Sequence, residues 1–233
     1  MLTQFGRKDV LKELEELKNV WATGSDPKTS KYAFIMAHGR GMDVGDMQSL
    51  LPTIQPADTY CLIPQATLEI MPGRYAWYPH FWNENLSENM RYLNQSFELL
   101  DNCVQHLYNL GFRDDQIILI GHSQGANLML EYFLTNPRPY KAVISMRGTV
   151  LGNYGDKRDF ISTMPEETIV LLHAGRRDPY IPIIKTDQSL NTLKKLGANA
   201  VKVQYETGHG ITRNELMDLK KLIKRDYILE ERN

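Results

Sequence analysis

The chain has 233 residues, enough for one domain with a sizeable core, and its 42% hydrophobic and 24% charged content fits a folded globular protein rather than a disordered one. Its 27 basic and 28 acidic side chains nearly cancel, to a formal net charge of −1, which removes the electrostatic footprint of a nucleic-acid or anionic-membrane binder. Two cysteines, Cys61 and Cys103, cannot build a disulfide framework and read as buried free thiols.

Residues 1–18 mix charge with apolar side chains and lack the apolar stretch of a signal peptide. No apolar run approaches the roughly 20 residues that span a bilayer, so a cytoplasmic chain without stable membrane insertion is expected. The spacing of Val10, Leu11, Leu14, Leu17, Val20 and Trp21 predicts an amphipathic helix over 7–21, packed on the domain, and 23–27 (Thr-Gly-Ser-Asp-Pro) breaks it. Apolar runs then predict strands over 32–37 and 59–63. Ser87 can cap a long helix to 110, closed by Gly111. A strand over 117–120, a helix over 124–135 and strands over 142–146 and 168–172 follow. Next come a helix over 187–196, stopped by Gly197, and a last strand over 200–205. Thr212 and Glu215 have capping-box spacing at the start of the final helix.

Short apolar strands alternating with helices predict a single α/β domain over 1–233, a mostly parallel central sheet with helices on both faces. The longest irregular stretch, 148–165, is too short for a large lid domain.

The string Gly121-His122-Ser123-Gln124-Gly125 sits between a strand and a helix, the context in which a serine becomes a nucleophile. A serine hydroxyl needs a base to remove its proton, and an acid to hold that base. In a strand–turn–helix elbow the acid and then the histidine follow the serine in the chain. His209, flanked by Gly208 and Gly210 directly after the last strand, is the base. Asp178, after the penultimate strand and before Pro179, is the acid; Asp156, Asp159 and Asp187 compete but none directly follows a strand end. A tetrahedral oxyanion needs two backbone N–H donors. The residue after the nucleophile, Gln124, supplies one. The other comes from the glycine-containing loop 38–42, with Arg40 the first choice and Gly41 or Met42 open if the loop turns differently.

Tyr75, Trp77, Tyr78, His80, Phe81 and Trp82 form an aromatic cluster that reads as a pocket wall or as a satellite core. Trp77, Tyr78 and, from the early loop, Met42 are the expected substrate contacts. The cluster lacks the interleaved basic residues that nucleic acid would need. His38, His80, His106, His122 and His173 make no metal-ligand spacing, and no phosphate-binding glycine loop follows a strand. No metal is expected.

Taken together, His38-Gly39-Arg40-Gly41, Gly121 to Gly125, Gly175-Arg176-Arg177-Asp178-Pro179-Tyr180-Ile181-Pro182 and Gly208-His209-Gly210 resemble the α/β-hydrolase superfamily. Size and spacing are similar to its phospholipase/carboxylesterase group, which includes acyl-protein thioesterases, from about residue 32 onward. The resemblance implies a nearly lidless hydrolase of carboxylic esters or thioesters that needs no cofactor. Two departures stand out. The helix over 7–21 is additional, and Ser145-Met146-Arg147-Gly148 replaces a small Ser-Gly pair, which puts Arg147 near the active-site mouth.

The expected function is a serine hydrolase that cleaves a small-molecule carboxylic ester through an acyl-enzyme. A thioesterase or lysophospholipase is the alternative on the same fold. A non-catalytic ligand-binding protein, or a lyase or oxidoreductase-like use of the fold, is the alternative in another class. Nothing in the pattern sets an oligomeric state.

Overall fold

The computed structural model describes residues 17–79, 85–151 and 164–224. Its main sheet has seven strands: β1 (Val20–Gly24), β2 (Tyr32–Ala37), β3 (Thr59–Pro64), β6 (Ile117–His122), β7 (Ala142–Met146), β8 (Ile169–Gly175) and β9 (Asn199–Tyr205). Their order is β1-β3-β2-β6-β7-β8-β9. Every pair is parallel except β1 with β3. A separate hairpin joins β4 (Leu68–Met71) to β5 (Arg74–Ala76).

Both faces of the sheet are covered, which is why the central strands β2, β3, β6 and β7 are buried throughout instead of alternating. One face carries α3 (Leu86–Asn109), α4 (Gln124–Thr135) and α5 (Ile183–Lys195), meeting the sheet through Leu93, Cys103, Leu107, Leu128, Phe133 and Leu193. The other carries the short α1 (Val44–Gln48) and α2 (Leu51–Ile54) with α6 (Arg213–Lys224), through Met47, Ile54, Leu216, Leu219 and Ile223. Successive residues obey the two-residue strand period. In β2, Ala33, Ile35 and Ala37 face the first core, and Tyr32, Phe34 and Met36 the second. Cys61 and Cys103 are free and buried, and burial pushes both thiols up to about 12.

Three expectations need correction. The first is the cap of α3, where Asn85 rather than Ser87 is the N-cap, its side chain accepting from Glu88 N at 3.2 Å. The helix over 7–21 does not reach its end: Val20 and Trp21 are in β1, paired with Pro64 and Ile63, and residues 7–16 lie outside the described residues. Asn19 takes a left-handed φ of 62°, a conformation asparagine tolerates, and it turns the chain onto the β3 edge. The β4–β5 hairpin was not foreseen either. Pro72-Gly73 closes it, with Gly73 at φ 69°. Finally, the capping box on α6 is only half made. The Thr212 hydroxyl accepts from Glu215 N at 3.4 Å, while the Glu215 carboxylate turns to Arg147.

Because the six strands from β3 to β9 run parallel, the loops that leave β2, β6, β8 and β9 all emerge at one edge of the sheet. In an open parallel sheet that edge is where ligands bind. Among the described residues no helix is long and apolar enough to cross a membrane.

Candidate active site

Ser123 stands at the junction of β6 and α4 with φ 52° and ψ −116°, a backbone conformation that non-glycine residues rarely take. Its own N–H donates to Met146 O at 2.8 Å, and its carbonyl accepts from Asn127 N at 3.1 Å, starting the helix. The turn is tight enough that a Cβ on Gly121 would collide with Gly125 O and the Ala126 backbone. A Cβ on Gly125 would collide with Ala37 O and His38 O. The two glycines are therefore dictated by close backbone approach.

His209 lies between β9 and α6, and Asp178 follows β8. The fold brings both to Ser123, 86 and 55 residues apart in the chain. His209 Nε2 accepts from Ser123 Oγ at 2.9 Å, and His209 Nδ1 donates to Asp178 Oδ2 at 2.8 Å. Asp178 Oδ1 accepts two backbone N–H groups, from Tyr180 (2.8 Å) and Ile181 (3.0 Å), so the carboxylate is oriented from both sides. The Asp178 side chain is fully buried and the His209 ring partly exposed. This row can pass a proton from a hydroxyl to an imidazole whose tautomer is held by a carboxylate.

The loop 38–42 passes beside the elbow: a Cβ on Gly39 would lie 3.3 Å from Ser123 Cβ. His38 anchors it. Ala66 N donates to His38 Nε2 at 3.2 Å, so Nδ1 carries the proton and donates to Gly39 O at 2.8 Å. Burial lowers the His38 pKa, in keeping with a neutral ring. The β4–β5 hairpin holds the other end: Gly41 N donates to Tyr75 O and Tyr75 N to Met42 O. Met42 N donates to Gly39 O. The amides of Gly41 and Met42 are thus engaged, whereas Arg40 N has no partner among the described residues. Gln124 N lies at the first turn of α4, where backbone N–H groups have no intrahelical partner.

Trp77 and Tyr78 sit elsewhere than expected. They are 1% and 4% exposed, belong to the core, and their polar groups are spent on support. Trp77 N donates to Gln124 Oε1, and Gln124 Nε2 to Tyr78 O, both at 2.8 Å. Trp77 Nε1 donates to His38 O at 2.7 Å. Both residues brace the elbow and the loop beside it. The apolar run around them reads alike for a wall and for a core, and only the fold separates the two. His80, Phe81 and Trp82 lie outside the described residues, as do Asp156 and Asp159. Asp187 pairs with Lys202 on β9. Met42 is partly buried, its Sδ 3.3 Å from His122 Nδ1. Arg147, expected at the mouth, is 1% exposed and lies beneath the His209 loop, where Glu215 neutralises it.

Tyr180 escaped the sequence reading. It is 73% exposed and packs edge-on against His209, ring centroids 5.0 Å apart. An aromatic residue two positions after the candidate acid was the available signal.

Two further histidines lie close by. His122 Nε2 donates to His209 O at 3.4 Å, and His173 packs on Tyr205. Burial lowers both to about 4, so both are neutral at pH 7. A histidine held neutral by the fold takes up its proton first in the unfolded state, so stability is complete above pH 6.5 and is lost as pH falls toward 4. Each histidine contributes a slope of roughly 1.4 kcal/mol per pH unit in that window. Neither ring nitrogen of His173 has a hydrogen-bond partner among the described residues, so phenylalanine can replace it. Calorimetric melting of His173→Phe between pH 7 and 4.5 is expected to show a shallower fall in Tm than wild type; parallel curves would refute it. Among the described residues no cluster of three or more His, Cys, Asp or Glu side chains is placed to hold a metal ion.

A mostly parallel sheet covered on both faces, with a Gly-x-Ser-x-Gly elbow at its carboxyl edge, defines an α/β-hydrolase fold. The phospholipase/carboxylesterase family model matches residues 22–226, and the chain belongs to that family. It is a hydrolase of the α/β-hydrolase type. The chain is similar to a phospholipase/carboxylesterase structure from Dyadobacter fermentans, with 27% identity, 88% of this chain and 96% of that one covered, and a TM-score of 0.76. Two further structures share the fold. One is a carboxylesterase from Bacillus cereus, at 19% identity, 93% and 100% coverage and TM-score 0.75. The other is the esterase PE8, at 22%, 89% and 98%, and 0.74. No curated protein sequence matches the chain.

Proposed function

We propose that this protein is a serine esterase that cleaves small-molecule carboxylic esters through an acyl-enzyme. The observation that carries the reading is the hydrogen-bonded row Ser123–His209–Asp178 behind a serine at positive φ. Ser123 Oγ attacks the acyl carbonyl as its proton passes to His209 Nε2, and the carbonyl oxygen becomes an oxyanion. The N–H groups of Gln124 and Arg40 receive that oxyanion, and the positive end of α4 adds to the field there. Collapse of the tetrahedral species expels the alcohol, which takes the proton from His209. Water then attacks the acyl-enzyme by the same route and frees the acid. Asp178 orients the imidazole throughout. Met42 and Tyr180 flank the reacting groups and would meet the substrate; the chemistry needs no cofactor.

A fluorophosphonate probe mapped by mass spectrometry tests this. Labelling on Ser123, with p-nitrophenyl acetate and butyrate turned over by wild type and not by Ser123→Ala, is the expected result. Labelling on another residue, or equal turnover by the two proteins, removes the proposal. An acyl-chain panel of matched esters and thioesters then reads which bond is preferred.

A further inference from the structure

We infer that Arg147 is a positioning residue that holds His209 in line with Ser123, an inference that rests on the esterase reading above. Arg147 follows β7 with φ 61°, an uncommon backbone for so large a side chain, and its N–H donates to His173 O at 3.0 Å. That conformation sends the guanidinium under the β9–α6 loop. There Nε donates to Gly208 O at 2.9 Å, and Nη2 reaches Gly210 O at 3.2 Å. The two carbonyls belong to the residues on either side of His209, so one rigid planar group grips both flanks of that residue. The two N–H groups of Nη2 are shared further with the Thr207 hydroxyl at 2.7 Å and both Glu215 oxygens at 2.8 Å, while Nη1 has no partner among the described residues. Thr207 Oγ1 in turn donates to Glu215 Oε1 at 2.8 Å, which closes a ring between the loop, β7 and α6. Arg147 and Glu215 are each only 1% exposed.

A buried ion pair is a poor device for stability, because the cost of stripping water from both charges offsets their attraction. Its distinctive property is directional: glycines flank His209 on both sides and give the loop freedom, and the guanidinium removes it. Misplacing a reacting group by about an ångström can cost on the order of 100-fold in rate. The burial of Arg147 and the bonds to residues 207, 208, 210 and 215 therefore assign it a role in catalytic geometry, acting through His209.

The test replaces both charges together, Arg147→Met with Glu215→Met, so that neither is left buried alone. Melting temperature, kcat and KM for p-nitrophenyl butyrate, and the far-downfield proton resonance of His209 Nδ1–H are measured. The expected result is a folded protein whose kcat falls about 10- to 100-fold with KM within about twofold, and whose downfield resonance shifts or broadens. Arg147→Lys, which keeps the charge but not the fork, should fall between the double variant and wild type. A folded double variant with wild-type kcat and an unmoved resonance overturns the role. Should the double variant not fold, Thr207→Val removes one hydroxyl from the ring. A kcat lowered about threefold or more at constant KM supports the role, and an unchanged kcat overturns it. Fluorophosphonate labelling separates the two levels. A wild type that does not label at Ser123 removes the esterase reading and this role with it, whereas equal labelling rates in wild type and folded double variant remove this role alone.

Discussion

Ser123→Ala and His209→Ala are each expected to lower kcat for p-nitrophenyl butyrate about 10⁴- to 10⁶-fold, and the double variant to be no slower than the slower single one. The reason is the 2.9 Å bond between Ser123 Oγ and His209 Nε2. A hydroxyl without its base stays protonated, and a base without its hydroxyl has nothing to activate, so the second loss adds little to the first. Asp178→Asn should cost about 10⁴-fold by a different route. Asp178 Oδ1 already accepts two backbone N–H groups, from Tyr180 and Ile181. An asparagine would keep its carbonyl oxygen on that pair and turn its NH₂ toward His209. Nδ1 would then have to accept, Nε2 would carry the proton, and it could no longer receive one from Ser123. Steady-state kinetics on the four variants decide the matter. Losses that multiply in the double variant would mean that serine and histidine act independently, which the proton-transfer scheme does not allow.

The central parallel strands were legible because burial on both faces makes them nearly unbroken apolar runs. The runs over 32–37 and 142–146 have the bounds of β2 and β7. The elbow was legible because Gly121, Ser123 and Gly125 meet a steric demand within five residues. His209 and Asp178 were found by their place after strand ends, which chain order alone supplies. What stayed hidden depends on distant partners. β1 is an edge strand held by backbone bonds to β3, and its first two residues, Val20 and Trp21, continue a helical spacing by coincidence. Glu215 obeys the local capping pattern, yet a charge 68 residues away claims its carboxylate. Trp77 and Tyr78 face inward, where Trp77 Nε1 donates to His38 O and the Tyr78 hydroxyl accepts from Asn127 Nδ2. No periodicity records such contacts. Of these hidden features, the Arg147–Glu215 pair and Trp77 brace the loops beside Ser123, so spacing points to the Ser123–His209–Asp178 row more readily than to its supports.

Gly125→Ala should be among the most destabilising single-methyl additions available to this chain. In an ordinary helix, replacing glycine by alanine gains about 1 kcal/mol. Here the new Cβ would collide with Ala37 O and His38 O, both backbone atoms at the end of β2. No rotamer change relieves a clash with backbone, so α4 or the end of β2 must move. Overpacking of this kind costs about 1–3 kcal/mol where side chains can yield, and more where they cannot. A net loss of about 3 kcal/mol is a large part of a typical total of about 5–15 kcal/mol. For a domain of this size it corresponds to a fall in Tm of roughly 6–12 °C. The displaced end of β2 carries His38, Gly39 and Arg40, so the surviving folded fraction should also lose kcat, and the two effects are separable by assaying well below the melting transition. Ala126→Gly is the control: it removes a buried methyl from the same turn and should cost about 1–2 kcal/mol, the helix propensity of glycine plus the lost burial, without any backbone clash. A Gly125→Ala protein melting within about 2 °C of wild type, less than 1 kcal/mol on the same scale, would mean that the backbone at the elbow can yield. The positive φ of Ser123 would then reflect a turn with room to relax rather than one clamped between β2 and α4.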